Sequence, residues 1–201
     1  MAALRRGVGL ERLDRPEEAA QLYREALGSH PESLRAWVDL GNAESLQGKR
    51  EEAEKAYRRA LALAPDDRDA LNNLAWLLLE EGARLAEAEE LATKAAGAPG
   101  ADQAHAQDTL GRIWIAQGRC DRAAPLFQEA LARPDGVSRQ ARGELLEGLG
   151  RALRACGRLD EARAAFLEAL RAGLDPNVKP AVEAALEALG GQDRTANPEK
   201  R

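Results

Sequence analysis

AWVDLGNAESLQG, residues 36–48, sets a Trp, a Leu and a Gly close together in a stretch that otherwise reads as helix. Gly inside a helix costs roughly 1 kcal/mol relative to Ala, so Gly41 needs a compensating reason. The slot recurs along the 201-residue chain. Gly7, Gly41, Gly111 and Gly150 fill it, with Ala75 standing in once. After each comes a second small residue: Ala19, Ala53, Ala88, Ala123 and Ala162, at steps of 34, 35, 35 and 39 residues. Four residues further on stands an aromatic in four copies (Tyr23, Tyr57, Phe127, Phe166) and Ala92 in the third. Ala26, Ala60, Ala95, Ala130 and Ala169 follow three residues later, and Pro31 and Pro65 close the first two copies. Repetition at this period is the signature of an array of small units.

Each unit reads as two helices. Trp37, Leu40, Gly41 and Glu44 fall at i, i+3, i+4 and i+7 on one face, and Ala53, Ala56, Tyr57, Ala60 and Leu61 do the same on a second helix. Gly48 suits the turn between them, and Asp66 or Asp67 can cap the helix that follows Pro65. No stretch alternates with period two, so no sheet is expected. Antiparallel helices joined by a short turn pack with axes roughly 8–10 Å apart, and the close end of that range needs small side chains. Gly41, Ala53 and Ala60 are expected to give that room, with Trp37 and Tyr57 filling the space to either side. One such hairpin cannot bury its apolar face, and stacked hairpins can.

The pattern Trp37-x2-Leu40-Gly41…Ala53-x3-Tyr57-x2-Ala60…Pro65 closely resembles the tetratricopeptide repeat (TPR). The resemblance covers residues 2 to 175 in five copies. It implies an all-α fold, a right-handed α-solenoid of antiparallel helix pairs. Unit bounds fall near 1–33, 34–67, 68–103, 104–142 and 143–176, with an array spanning 1–189. The third unit departs from the pattern, with Ala75 for Gly, one extra residue in its turn and Ala92 for the aromatic. The first unit starts without an N-cap or preceding turn: either its first helix frays or the chain belongs to a longer array. At the other end, residues 178–189 read as a capping helix with a Val182, Leu186 and Leu189 stripe, stopped by Gly190. The polar residues 190–201 are expected to be disordered.

Composition narrows the function. Charged residues make up 31% with both signs interspersed and a net charge of −5, so no basic field exists to hold nucleic acid. No apolar run reaches the roughly 20 residues of a membrane span. The N-terminus lacks a signal-peptide pattern. Cys120 and Cys156 lie in or beside the helix-connecting turns of units four and five. They read as two isolated thiols, which favours a reducing, cytoplasmic setting; the less favoured alternative is a redox pair, since equivalent points on neighbouring repeats could be close. No catalytic or phosphate-binding motif is present, and no cofactor or metal is expected. His30 and His105 sit near inter-unit turns, where exposure is the plain expectation.

What remains is a surface. The stripe beside the packing stripe of each first helix would line a concave groove. It offers Arg35, Val38, Asp39, Asn42 and Ser45 in unit two, and Asp69, Asn72, Asn73, Trp76 and Leu79 in unit three. Unit four adds His105, Asp108, Thr109, Arg112 and Ile115; unit five adds Glu144, Glu147, Arg151 and Arg154. Arg35, Asp39, Asn42, Asn72, Asn73, Trp76, Asp108, Arg112 and Arg151 are the candidate partner-binding residues. They could meet the backbone and side chains of a protein or peptide segment. Trp76 reads either as an interface anchor or as filler at a junction between units. Chaperone-binding members of the family hold a terminal carboxylate with three cations and two Asn. Here Val38, His105 and Thr109 stand at the cation positions, so no chaperone-tail clamp is expected. The expected function is a non-enzymatic interaction scaffold. The alternative is a regulatory or recruiting region of a larger enzyme or secretion machine. Self-association stays open, because the array ends can leave apolar faces partly covered.

Overall fold

The computed structural model describes residues 15–97, 103–132 and 137–196, with side chains to Gly190. Gly7 and the rest of the first expected helix lie outside them. The chain forms two compact units, residues 1–100 and 101–201. The first contains α1 (Pro16–Ser29), α2 (Leu34–Leu46), α3 (Arg50–Leu63), α4 (Arg68–Glu81) and α5 (Leu85–Gly97). The second contains α6 (Gln103–Ala116), α7 (Cys120–Leu131), α8 (Arg139–Ala155), α9 (Leu159–Ala172) and α10 (Lys179–Ala196). No strand occurs among the described residues. The fold is all-α, of the α-solenoid kind, with each helix packed on the next in sequence within its unit.

Local chemistry sets the helix ends. Three first helices of a pair start at side-chain caps. Ser33 accepts from the Ala36 N–H at 3.3 Å, Asp67 from Ala70 at 2.9 Å and Ser138 from Ala141 at 3.1 Å. The turns inside pairs rest on glycine in the left-handed region, with φ of 72° at Gly48, 76° at Gly118 and 75° at Gly157. Each lets the next N–H reach back five residues: Lys49 to Glu44, Arg119 to Trp114 and Arg158 to Leu153, at 2.7–2.9 Å. An L side chain would strain that backbone.

Packing explains the Gly slot in a way the sequence reading has to be corrected for. A Cβ placed on Gly41 would lie 2.6 Å from Tyr57 Cδ1, one on Gly111 2.7 Å from Phe127 Cε2, and one on Gly150 2.5 Å from Phe166 Cε1. The space is therefore filled by the aromatic ring of the second helix, not by an approach of Ala53 or Ala60. The rings are buried to the last few per cent: Tyr57 is 3% exposed, Phe127 0% and Phe166 1%. Where the ring is absent, at Ala92, the slot holds Ala75, and both are fully buried. Slot and ring change together inside one chain. Phe127 has a second glycine against it, because a Cβ on Gly148 of α8 would lie 2.5 Å from its Cζ. Trp37 is only half-buried. Its indole N–H donates to the Pro31 carbonyl at 2.8 Å, and the Arg59 guanidinium lies 5.7 Å from its ring centre.

Two expectations fail at the C-terminal end. Cys120 and Cys156 are not isolated thiols but a disulfide, with Cα atoms 5.6 Å apart and a sequence separation of 36. The spacing leaves the pairing open, because the two meet only once α7 packs on α8. Closing such a loop removes unfolded-state entropy worth about 3–4 kcal/mol on the chain-entropy account. In addition, α10 does not stop at Gly190. It runs on to Ala196, through part of the tail expected to be disordered. A Gly ends a helix only when the backbone turns left-handed there, and Gly190 has no positive φ. Val182 and Leu189 of α10 are buried against the second unit's core, with Leu186 packed on it.

Charge pairs tie the pairs together. In the first unit, Glu44 is 2% exposed and pairs with Arg24 of α1. Glu54 of α3 is gripped by Arg84, at 2.6 and 2.8 Å, and by Arg58 at 2.8 Å. These bonds hold its carboxyl well down, to about 2, against a modest burial penalty.

Candidate functional site

In the first unit the candidate residues lie on α2 and α4. Asp39 is 2% exposed and accepts from Arg35 Nε at 3.0 Å. Burial pushes its carboxyl above the usual range; Arg35 pulls the other way and Asp69 adds a smaller push upward. Asn42 is the hub of an amide network. Its Oδ1 accepts from Asn73 Nδ2 at 2.8 Å and from the Tyr57 hydroxyl at 2.9 Å, which joins α2, α3 and α4. Tyr57 is the same ring that fills the Gly41 slot, so a core residue sends its one polar atom into the candidate face. Its spacing marked Tyr57 as a core residue, and nothing in the sequence marked the hydroxyl's destination.

Trp76 stands on α4 with 38% of its surface exposed, and its indole N–H donates to Glu80 at 3.1 Å. Asn72 is one helical turn before Trp76 on the same face. The Asn72 Oδ1 is buried and meets no hydrogen-bond donor. A buried acceptor in that state costs about 1–3 kcal/mol.

In the second unit the stripe carries a buried ion cluster where the first unit has its amide network. Arg112 of α6 is mostly buried, its side chain 17% exposed. Its guanidinium bonds Asp108 at 2.6 Å and Glu147 of α8 at 2.7 Å, and Arg151 reaches Glu147 at 3.4 Å. Burial works against the Arg112 charge, but the two carboxylates outweigh it and hold its pKa above the ordinary value. Burial raises the Asp108 carboxyl even with Arg112 beside it. The second oxygen of Asp108 is buried without a hydrogen bond, close to the bare Cα of Gly148. Arg112 and Asp108 are thus committed to their own chain, whereas Arg151 keeps about half of its side chain in solvent. His105 is exposed and lies 3.8 Å from Glu144. Among the described residues no cluster of His, Cys, Asp and Glu is arranged to hold a metal ion, and no helix is long and apolar enough to cross a membrane.

Sequence and structure comparisons agree on the class. Residues 9–118 match the family described as the cilia and flagella-associated protein 70 middle TPR-like domain, and residues 109–177 match a tetratricopeptide-repeat family. The chain is 36% identical over 61 residues to the human protein O-mannosyl-transferase TMTC1, covering 30% of this chain and 7% of that protein. It is 32% identical over 123 residues to the TPR repeat-containing protein PA4667 of Pseudomonas aeruginosa, covering 61% of this chain and 21% of that protein. It therefore spans a small part of either relative. Among solved structures it resembles TTC0263, a thermophilic TPR protein of Thermus thermophilus, at 23% identity and a TM-score of 0.72, covering 92% of this chain and 97% of that one. It also resembles YrrB, described as a TPR protein with an unusual peptide-binding site, at 17% identity and a TM-score of 0.65, covering 92% and 89%.

Proposed function

The chain belongs to the tetratricopeptide-repeat family, and on that premise we propose that it is a non-enzymatic scaffold whose first-helix faces bind an extended segment of a partner protein. One observation carries the reading. Trp76 offers a large, partly exposed aromatic surface, one turn from a buried and unpartnered Asn72 carbonyl oxygen. An aromatic anchor beside an acceptor that lacks a donor suits a peptide, whose side chains supply apolar contact and whose backbone supplies N–H groups. YrrB's described peptide-binding site lends support by analogy of fold alone. Arg35, substantially exposed in the same unit, would set the charge preference of the bound segment.

The test is capture of partners from a native extract, followed by titration of the captured partner's segment with wild type, Trp76→Ala and Arg35→Ala. Loss of a central aromatic anchor costs about 2 kcal/mol or more, roughly a thirtyfold weaker Kd. Unchanged binding by both variants would remove the groove assignment. A second reading has its own support: the matched regions are 7% and 21% of the two relatives. On that reading the same face recruits a substrate or subunit to a larger protein, and fusion to the remaining domains would strengthen rather than create binding.

A further inference from the structure

The disulfide sits at an informative place. Helices α7 and α8 pack side by side, and the chain itself connects the end of α7 at Leu131 to the start of α8 at Arg139. Cys120 is the first residue of α7 and Cys156 is the C-cap of α8. The covalent link therefore closes the opposite end of the same helix pair, and the pair cannot splay from either end. The Arg112–Glu147 ion pair spans α6 and α8 across the same joint. One joint thus carries a covalent clasp and an ionic one. The corresponding turns of the first unit have Arg50 and Gly82 at the ends of α3 and α4, so that joint has no covalent clasp.

The two sulfurs differ in setting. Cys120 begins a twelve-residue helix, beside Arg119 and at the positive end of the helix dipole, which favours its thiolate as a leaving group. Cys156 ends a helix, where the dipole has the opposite sign. Both residues keep part of their surface in solvent.

We propose that Cys120–Cys156 is an exchangeable clasp, opened and closed by low-molecular-weight thiols and disulfides of the glutathione class, which sets how rigidly the α6–α7 pair is held to the α8–α9 pair. Opening begins with a thiolate attacking the Cys156 sulfur. A mixed disulfide forms there, the bond between the two cysteines breaks, and its electron pair leaves on Cys120 as thiolate. A second thiolate attacks the small-molecule sulfur of the mixed disulfide. It releases Cys156 as thiolate and carries away the oxidised dimer, so two thiols are oxidised and one disulfide is reduced. Closing runs the same steps backward, with the oxidised dimer as oxidant.

The experiment uses the whole chain in buffers of varied reduced-to-oxidised glutathione ratio. Samples are acid-quenched, their free thiols are counted by alkylation and mass, and amide hydrogen exchange is followed in parallel. The clasp should open within the accessible range of ratios. On opening, amides of α7 and α8 that exchange through separation of this joint should speed up roughly 100-fold, while α2 to α5 stay unchanged. Cys120→Ser treated with oxidised glutathione should carry the adduct on Cys156, and the Cys120→Ser/Cys156→Ser double variant should exchange like the opened wild type in every buffer. Three results would overturn the proposal. They are two thiols that never couple under oxidised glutathione, a disulfide that yields to a strong dithiol but not to glutathione, and identical α7–α8 exchange in the open and closed forms.

Discussion

Tyr57 and Phe127 occupy the same place in two repeats, one in each unit, and differ by a single hydroxyl. In the first unit that hydroxyl must find an acceptor, and it finds Asn42, which also takes the Asn73 amide. In the second unit the ring has no polar atom. It lies against bare glycines at 111 and 148, and the slot that holds Asn42 in the first unit holds Arg112, bound to Asp108 and Glu147. The two repeats thus set different surfaces beside their core rings: a neutral amide network beside Tyr57 and a buried ion cluster beside Phe127.

The comparison breaks first at Arg112. Arg112→Met leaves Asp108 buried without its cation and Glu147 with only the half-exposed Arg151, which costs about 3–5 kcal/mol, and the second unit should unfold early in urea. Burial already raises the Asp108 carboxyl, so protonating it should recover part of that loss, and the penalty should shrink as pH falls. A penalty independent of pH would mean that the cluster is not held by charge.

Acid alone should separate the units next. The Glu54 carboxyl titrates at about 2, below its ordinary 4.5. The folded first unit therefore holds the ionised form more tightly than the unfolded chain does. That stability is complete above about pH 4.5 and is lost as pH falls through 2; it amounts to roughly 2 kcal/mol once the half-exposed arginines are allowed for. The buried Asp39 and Asp108 are raised, so in both units their ionisation penalty is relieved over the same descent. Segment-resolved hydrogen exchange between about pH 5 and pH 2 should show α3 and α5 losing protection relative to α6 and α8. Parallel loss in both units would contradict the Glu54 assignment.

Smaller effects sharpen the contrast. Asn42→Ala removes the acceptor of two groups and should cost about 1–3 kcal/mol. Tyr57→Phe makes the first unit resemble the second and removes one partner of Asn42 while Asn73 remains; about 1 kcal/mol is expected by denaturant titration. If Tyr57→Phe costs as much as Asn42→Ala, the hydroxyl and not the Asn73 amide holds the network together.

These contrasts also show where sequence reading succeeds. The small-residue slots, the helix pairs, the Gly48 turn and a cap at Asp66 or Asp67 are legible because each depends on neighbours within a few turns of one chain segment; which Asp caps is not. Helical spacing alone assigns Asn42, Trp76 and Arg112 each to the outer stripe of its own first helix. What those residues do there is not legible. Asn42 meets Asn73 across 31 positions and Arg112 meets Glu147 across 35, and only the stacking of one pair on the next brings them within reach. The disulfide, open in the sequence only as the less favoured reading, depends on the same stacking. The role of Gly41 was placed in the right contact and given the wrong partner, because spacing shows which face a residue is on and not which atom fills it.

The reciprocity of slot and ring is the central claim, and a double-mutant cycle tests it most directly. Gly41→Ala forces a Cβ against the Tyr57 ring, and Tyr57→Ala removes the ring; together they rebuild the Ala75 and Ala92 arrangement of the third repeat. The account predicts that Gly41→Ala costs roughly 1–3 kcal/mol with the ring present and almost nothing without it, a coupling of about that size. Additive losses would mean that the glycine is there for some reason other than the ring, and the account would be wrong at its base.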